Sequence, residues 1–324
     1  MKTSIRPGRP VLLAVLALAT PALTALPLAA LPLAAGFDAR AAEPSAQPAQ
    51  AASPVEIRDG LVFVQASIGD AGPALFLFDT GAGASVVDPA YARRAGLAAA
   101  GSIGVNTGGR REDRADQAAP ADLTLGGVRA RVEPVILSLD AIGRQLGRPL
   151  AGVVGADFMQ GFTVTIDYPR GRLTLTRGGR LSPRDPGVVP VRIAPYPFVE
   201  AEARLGERRL FGEFQIDTGS DTAVEIHRPR ADEAFGRAAG RPSLGMTVAG
   251  VHPQRLGRLD DLTVGAVRLG TLSANFAAET RPNGAGAGYA GLIGGPAFRG
   301  QVLTIDFPDG LMRLRPAAVA TATD

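Results

Sequence analysis

From Val55 onward, short apolar runs alternate with Gly, Asp and Pro, and this pattern predicts a mostly-β chain. Leu61-Val62-Phe63-Val64-Gln65-Ala66-Ser67-Ile68 suits a strand, and Leu75-Phe76-Leu77-Phe78 is an apolar strand that ends in Asp79-Thr80-Gly81. Ala84-Ser85-Val86-Val87 reads as a further strand, and Asp88-Pro89 can cap a short helix through Ala95. The Gly-rich 101–109 stretch, followed by charged residues 110–114, suits a hairpin. Residues 42–54 hold Pro, Ala and Gln with no large apolar side chain and read as a disordered lead. In residues 1–41, Lys2, Arg6 and Arg9 precede a Leu/Ala-rich stretch and Ala39-Arg40-Ala41 offers a cleavage site, the pattern of a secretory signal peptide. The other reading of that stretch is an uncleaved anchor over 11–35, which Pro21, Pro27 and Pro32 disfavour.

The pattern occurs twice. Asp79-Thr80-Gly81 returns as Asp217-Thr218-Gly219 after the apolar run Phe214-Gln215-Ile216. Residues 122–129 (DLTLGGVR) return as 261–268 (DLTVGAVR), 151–155 (AGVVG) as 290–294 (AGLIG), and 165–169 (TIDYP) as 304–308 (TIDFP). A nearly constant spacing over such a length is the mark of a duplicated lobe. It divides the chain into a first lobe 55–177, a linker 178–189, a second lobe 190–316 and a tail 317–324.

Charge and composition narrow the chemistry. Setting residues 1–41 aside removes Lys2, Arg6, Arg9 and Arg40 from 34 basic residues and Asp38 from 31 acidic ones, leaving 30 of each. The rest is near neutrality without a basic run, so no nucleic-acid partner is expected. The chain has no cysteine, which excludes disulfides and thiolate chemistry, and its two histidines, His227 and His252, read as loop residues. No metal and no cofactor is implied. Asp167 and Asp306, each followed by an aromatic residue and Pro, read as surface turns. An aspartate at the end of a buried strand is costly unless bonded, paired or protonated, so two in matching settings point to a shared site.

The apolar-apolar-Asp-Thr-Gly-Ala/Ser strings, the glycine-rich segment after the first, and Val153-Val154-Gly155-Ala156-Asp157-Phe158 together resemble the retropepsin-like aspartyl proteases. The second half is similar but has Gly294-Gly295-Pro296-Ala297-Phe298 in place of the Gly-x-Asp-Phe string, which puts the local helix there in question. The resemblance implies an all-β fold of two pseudo-symmetric β-barrel lobes with the cleft between them. It implies catalytic Asp79 and Asp217, supported by Thr80, Gly81, Thr218 and Gly219. It assigns Ile103, Gly104, Val105, Asn106 and Thr107 to a flap over an extended polypeptide substrate, with a second flap around 245–257. Val153, Val154, Gly155, Leu292, Ile293 and Gly294 would be supporting loops beneath the aspartates.

These readings converge on an exported aspartic endopeptidase, periplasmic or secreted from a bacterium, monomeric, and in contact with a membrane only if the signal segment stays attached. Two alternatives stand beside it: a dimer in which each lobe builds its own dyad with a second chain, and an inactive peptide-binding module of the same fold.

Overall fold

The computed structural model describes residues 17–18, 50–106, 113–228, 230–236, 239–247, 250–278 and 288–317. The signal segment apart from Ala17–Leu18, residues 42–49 of the lead, Thr107 of the flap and the tail beyond Ala317 lie outside them. Ala17–Leu18 pairs antiparallel with Val105 and Asn106.

Each lobe is a curled sheet with the same strand order. In the first lobe the order is Ala99–Asn106, Asp113–Ala118, Val135–Ile136, Val86–Val87, Gly152–Val154, Ala74–Phe78, Leu61–Ile68, Ala121–Leu125, Val128–Val132. In the second it is Arg241–Thr247, Gly250–Leu259, Leu272–Ala278, Val224–His227, Gly291–Gly294, Arg208–Asp217, Pro197–Leu205, Asp261–Val264, Val267–Arg268. The two orders correspond strand for strand, so the fold is a pair of pseudo-symmetric all-β lobes.

A third sheet joins the lobes. Its six strands run Val188–Pro190, Leu311–Pro316, Gln301–Asp306, Phe162–Asp167, Arg172–Arg177, Gln50–Pro54. The two central strands come one from each lobe and pair antiparallel with Thr165 opposite Thr304. The closing hairpins of the two lobes therefore share one hydrogen-bond ladder. One apolar cluster also runs through both lobes, from Val62, Phe78 and Phe158 to Phe198, Phe214 and Leu314.

This sheet corrects two boundaries read from the sequence. Gln50–Pro54 is a strand paired with Arg172–Thr176, not part of a disordered lead. Its composition hides this because backbone bonds hold it, with only Ala51 buried. Val188–Pro190, placed in the linker and at its border, is the matching outer strand on the other side and pairs with Leu311–Arg313. Asp306 is also not at the surface. It is fully buried and accepts from the backbone N–H of Arg180, Leu181 and Asp309, which pins the start of the linker to the second lobe.

The short helix Pro89–Arg94 is capped by Asp88, whose carboxylate accepts from Ala90 N–H. In the second lobe the segment without the Asp-Phe pair still forms a 3-10 turn over Gly295–Phe298, matching the helix Ala156–Met159 of the first. Pro296 at the start of that turn is compatible with it, because a first-turn N–H has no internal partner to lose. Neither histidine is a loop residue: His252 lies on the strand Gly250–Leu259 opposite Gly245, and His227 ends the strand Val224–His227, is buried, and lies 3.1 Å from Glu225 Oε1. Among the described residues, no helix is long and apolar enough to cross a membrane.

Candidate active site

Two apolar strands carry the aspartates to the lobe interface. Ala74–Phe78 lies parallel to Gly152–Val154, with Phe78 opposite Val154, and Asp79 N–H continues the ladder to Val154 O at 3.0 Å. Arg208–Asp217 lies parallel to Gly291–Gly294, with Asp217 opposite Gly294. The apolar-apolar-Gly segments thus sit beside the strand of their own lobe. They hold it by main-chain bonds, which fixes where the strand ends and the acidic loop begins.

The two loops then lock together across the interface. Thr80 N–H donates to Thr218 Oγ1 at 3.0 Å, and Thr218 N–H donates to Thr80 Oγ1 at 3.1 Å. Each hydroxyl passes its own proton on to the opposite lobe, Thr80 Oγ1 to Ile216 O at 2.7 Å and Thr218 Oγ1 to Phe78 O at 2.8 Å. Both threonines are fully buried, so each bond satisfies a group that water cannot reach. The carbonyls served belong to the residues just before each Asp-Thr-Gly, so the exchange fixes both strand ends relative to each other.

The carboxyls meet under these bonds. Asp79 is 5 % exposed and Asp217 0 %. Gly81 N–H donates to Asp79 Oδ1 at 2.8 Å and Gly219 N–H to Asp217 Oδ1 at 3.0 Å, one donor from each loop to its own aspartate. Burial pushes the Asp79 carboxyl above the usual carboxylate range. The N–H groups of Gly81, Ala82 and Gly219 and a hydrogen-bond contact with the Asp217 side chain oppose that rise. Gly219 comes so close that a Cβ there would stand 2.2 Å from Asp79 Cγ, and only glycine leaves the space. Two buried carboxyls in contact cannot both be charged cheaply, so the pair is built to share a proton.

Of the flap residues, Ile103, Gly104 and Val105 lie on Ala99–Asn106, which pairs with Asp113–Ala118 as a hairpin. Val105 is buried in the apolar cluster that also holds Ala82 and Ala84 of the acidic loop, and Ile103 packs against it. The first strand of the hairpin is therefore packed beside the loop that carries Asp79. Asn106 ends the described strand and Thr107 lies beyond it. The second lobe carries an equivalent hairpin, Arg241–Thr247 with Gly250–Leu259, so this end of each sheet bears one.

Sequence reasoning passed over two local features. Ser85 Oγ donates to Asp157 Oδ1 at 2.7 Å and accepts from Gly155 N–H at 3.1 Å, which ties the supporting segment to the strand after the first acidic loop. Burial raises the Asp157 carboxyl as well. In the second lobe a direct bond from Gly294 N–H to Ala223 O serves that join. The other is Gln215, 1 % exposed, whose Nε2 donates to Gly81 O at 3.2 Å across the interface. Its signal was a lone amide within an apolar run.

Residues 64–158 match the aspartyl protease family. This family is related to the retropepsin-like proteases, and the matched span runs from within the strand Leu61–Ile68 through the first Asp-Thr-Gly and the hairpin that follows it to Phe158. The match supports a protease-type hydrolase function. The second lobe lies outside the match and is tied to the aspartyl protease segment by its identical strand order and its own Asp-Thr-Gly. No curated protein matches the chain. Among the described residues, no cluster of His, Cys, Asp and Glu could hold a metal ion.

Proposed function

We propose that this protein is an exported aspartic endopeptidase that hydrolyses peptide bonds with a water held between Asp79 and Asp217. The observation that carries the reading is the reciprocal Thr80–Thr218 exchange, which brings one buried aspartate from each lobe into a single pair within one chain. A dyad closed in this way needs no second chain, which favours a monomer over a dimer of lobes.

In the first step the ionised carboxylate takes a proton from the water as its oxygen attacks the scissile carbonyl carbon. The protonated partner gives its proton to the carbonyl oxygen. In the second, the carboxyl that gained a proton delivers it to the amide nitrogen, and the C–N bond breaks with its electron pair going to nitrogen. One hydroxyl of the tetrahedral carbon returns its proton to the other carboxylate as the C=O re-forms. The threonines and glycines hold the geometry throughout, and an extended substrate pairs with the flap strands by main-chain bonds. The Leu/Ala-rich start of the chain supports export to the periplasm or medium.

The reading is tested by offering a mixed peptide library to residues 42–324 between pH 4 and 7, with Asp79→Asn and Asp217→Asn in parallel. Cleavage by the wild type and none by either variant is the expected result. A folded wild type that binds peptides and cuts none would replace the protease by a binding module.

A further inference from the structure

Gln215 stands two residues before Asp217, and its counterpart two residues before Asp79 is Leu77. Register makes the equivalence firm: Leu77 pairs with Val153 and Gln215 with Leu292, at the same place in the two repeats. Leu77 packs with Leu61, Phe63 and Val153 in an apolar cluster. A primary amide in the same setting carries a cost unless it is bonded, and Gln215 is bonded to the other lobe, through Nε2 to Gly81 O at 3.2 Å.

The acceptor matters because of what its peptide group does next. The Gly81 carbonyl belongs to the peptide whose N–H is that of Ala82. This N–H points at Asp79, lying 3.3 Å from its backbone oxygen and close enough to the carboxyl to favour its ionised form. A hydrogen bond to a peptide oxygen polarises the peptide and makes its N–H a stronger donor. A line of polarisation therefore runs from the Gln215 amide through the Gly81–Ala82 peptide to Asp79. No mirror image exists, since Leu77 has no donor to offer the Gly219–Ser220 peptide. The threonine exchange and the bond from each loop glycine to its own aspartate are otherwise matched on the two sides, and the Gly219 N–H acts on Asp79 as well.

We propose that Gln215 is a positioning residue that breaks the pseudo-twofold symmetry of the dyad, holding Asp79 as the ionised member and leaving the shared proton on Asp217. The role rests on the protease reading and sharpens it. Asp79 takes the proton from the water, Asp217 gives its proton to the carbonyl oxygen, and both transfers reverse as the amine departs. The titratable groups around the pair are the two carboxyls themselves, Asp221 further along the second loop, and Tyr168 of the shared sheet. The buried Tyr168 phenol is pushed up by burial.

The test uses the full chain and three substitutions. Gln215→Leu installs the side chain the first lobe carries. It should lower kcat by about three- to tenfold with KM changed by less than about twofold, and move the acid limb of kcat/KM to higher pH. Leu77→Gln with Gln215→Leu moves the donor to the other loop and should recover part of the lost kcat. The second readout needs no turnover: binding of a peptide with a hydroxyl-bearing carbon in place of the scissile carbonyl. Asparagine imitates a neutral aspartic acid, so Asp217→Asn should bind this analogue about tenfold or more tighter than Asp79→Asn. Adding Gln215→Leu should narrow that gap. Equal binding by the two asparagine variants overturns the role even if Gln215→Leu does not fold. So does a folded Gln215→Leu enzyme with unchanged kcat and acid limb. A wild type that neither cleaves peptides nor binds the analogue overturns the protease reading, and the role with it.

Discussion

Thr165 and Thr304 face each other as direct partners in the sheet shared by the lobes, their hydroxyl oxygens 3.1 Å apart. They are 139 residues apart in the chain, the spacing of the sequence repeat, and so mark where its pseudo-twofold axis crosses the sheet. The Thr80–Thr218 exchange marks the same relation at the dyad. Around this axis the outer strands Gln50–Pro54 and Val188–Pro190 are counterparts, and both belong to the folded unit.

A chain that begins at Val55 should therefore be less stable than one that begins at residue 42. Loss of the five-position pairing with Arg172–Thr176 leaves a bare edge, and its cost should be about 2–4 kcal/mol, or roughly 5–10 °C in Tm. Calorimetry of the two forms decides the matter. Equal Tm values would mean that Gln50–Pro54 does not pair in solution.

The threonine exchange gives a sharper prediction. Replacing Thr80 or Thr218 by valine keeps the shape but strands a buried N–H and a buried carbonyl of the other lobe. Each variant should lose about 2–4 kcal/mol in urea unfolding, and serine in place of either threonine should lose much less. Peptide cleavage by the valine variants should fall as well, because the strand ends are no longer held together. Valine variants as stable as the serine ones would remove the exchange from the account.

Gly219→Ala puts a Cβ 2.2 Å from Asp79 Cγ, so the carboxyl or the loop must move. The rate of peptide cleavage should drop by about a hundredfold while the protein stays folded. Gly300→Ala, where an added Cβ meets nothing within 4 Å, serves as the control and should leave the rate unchanged. A fully active Gly219→Ala protein would show that the two loops are not as close as described.

Much of this was legible in the sequence because the informative features are local and duplicated. An apolar strand ending in Asp-Thr-Gly, seen twice, is enough to locate both aspartates and both threonines, and the matched 122–129 and 261–268 segments extend the repeat across each lobe. The missed parts depend on partners far along the chain. Gln50–Pro54 forms a strand by main-chain bonds to residues more than a hundred positions away, so its own side chains carry no strand signal. Asp306 has the local look of a turn, and only the path of the linker over it makes it a buried acceptor for Arg180 and Leu181. His227 reads as a loop residue because Arg228-Pro229 follows it, while its burial is set by Glu225 and by Tyr289, whose ring lies 4.9 Å from it. Gln215 interrupts an apolar run, but that its amide reaches Gly81 follows only from the way the lobes meet.

Stability should depend on pH through the buried Asp157. Burial raises its carboxyl, so the folded protein keeps that proton at a pH where the unfolded chain has lost it. The stabilisation is complete below the ordinary aspartate range near pH 4 and is lost as pH rises through the raised value. Asp157→Asn should unfold at higher denaturant than the wild type at pH 7. Its advantage should shrink to nothing below about pH 4. Denaturant midpoints between pH 3 and 7 give the answer, and an advantage independent of pH would contradict the assignment.

The central claim is that one chain holds one complete dyad, and the most direct measurement is peptide cleavage by a mixture of Asp79→Asn and Asp217→Asn proteins that have been unfolded and refolded together. If the dyad closes within the chain, every molecule in the mixture lacks one carboxylate, and the mixture should be as inactive as either variant alone. Activity retained by either variant alone, or recovered on mixing, would show that lobes of different chains pair to build the site.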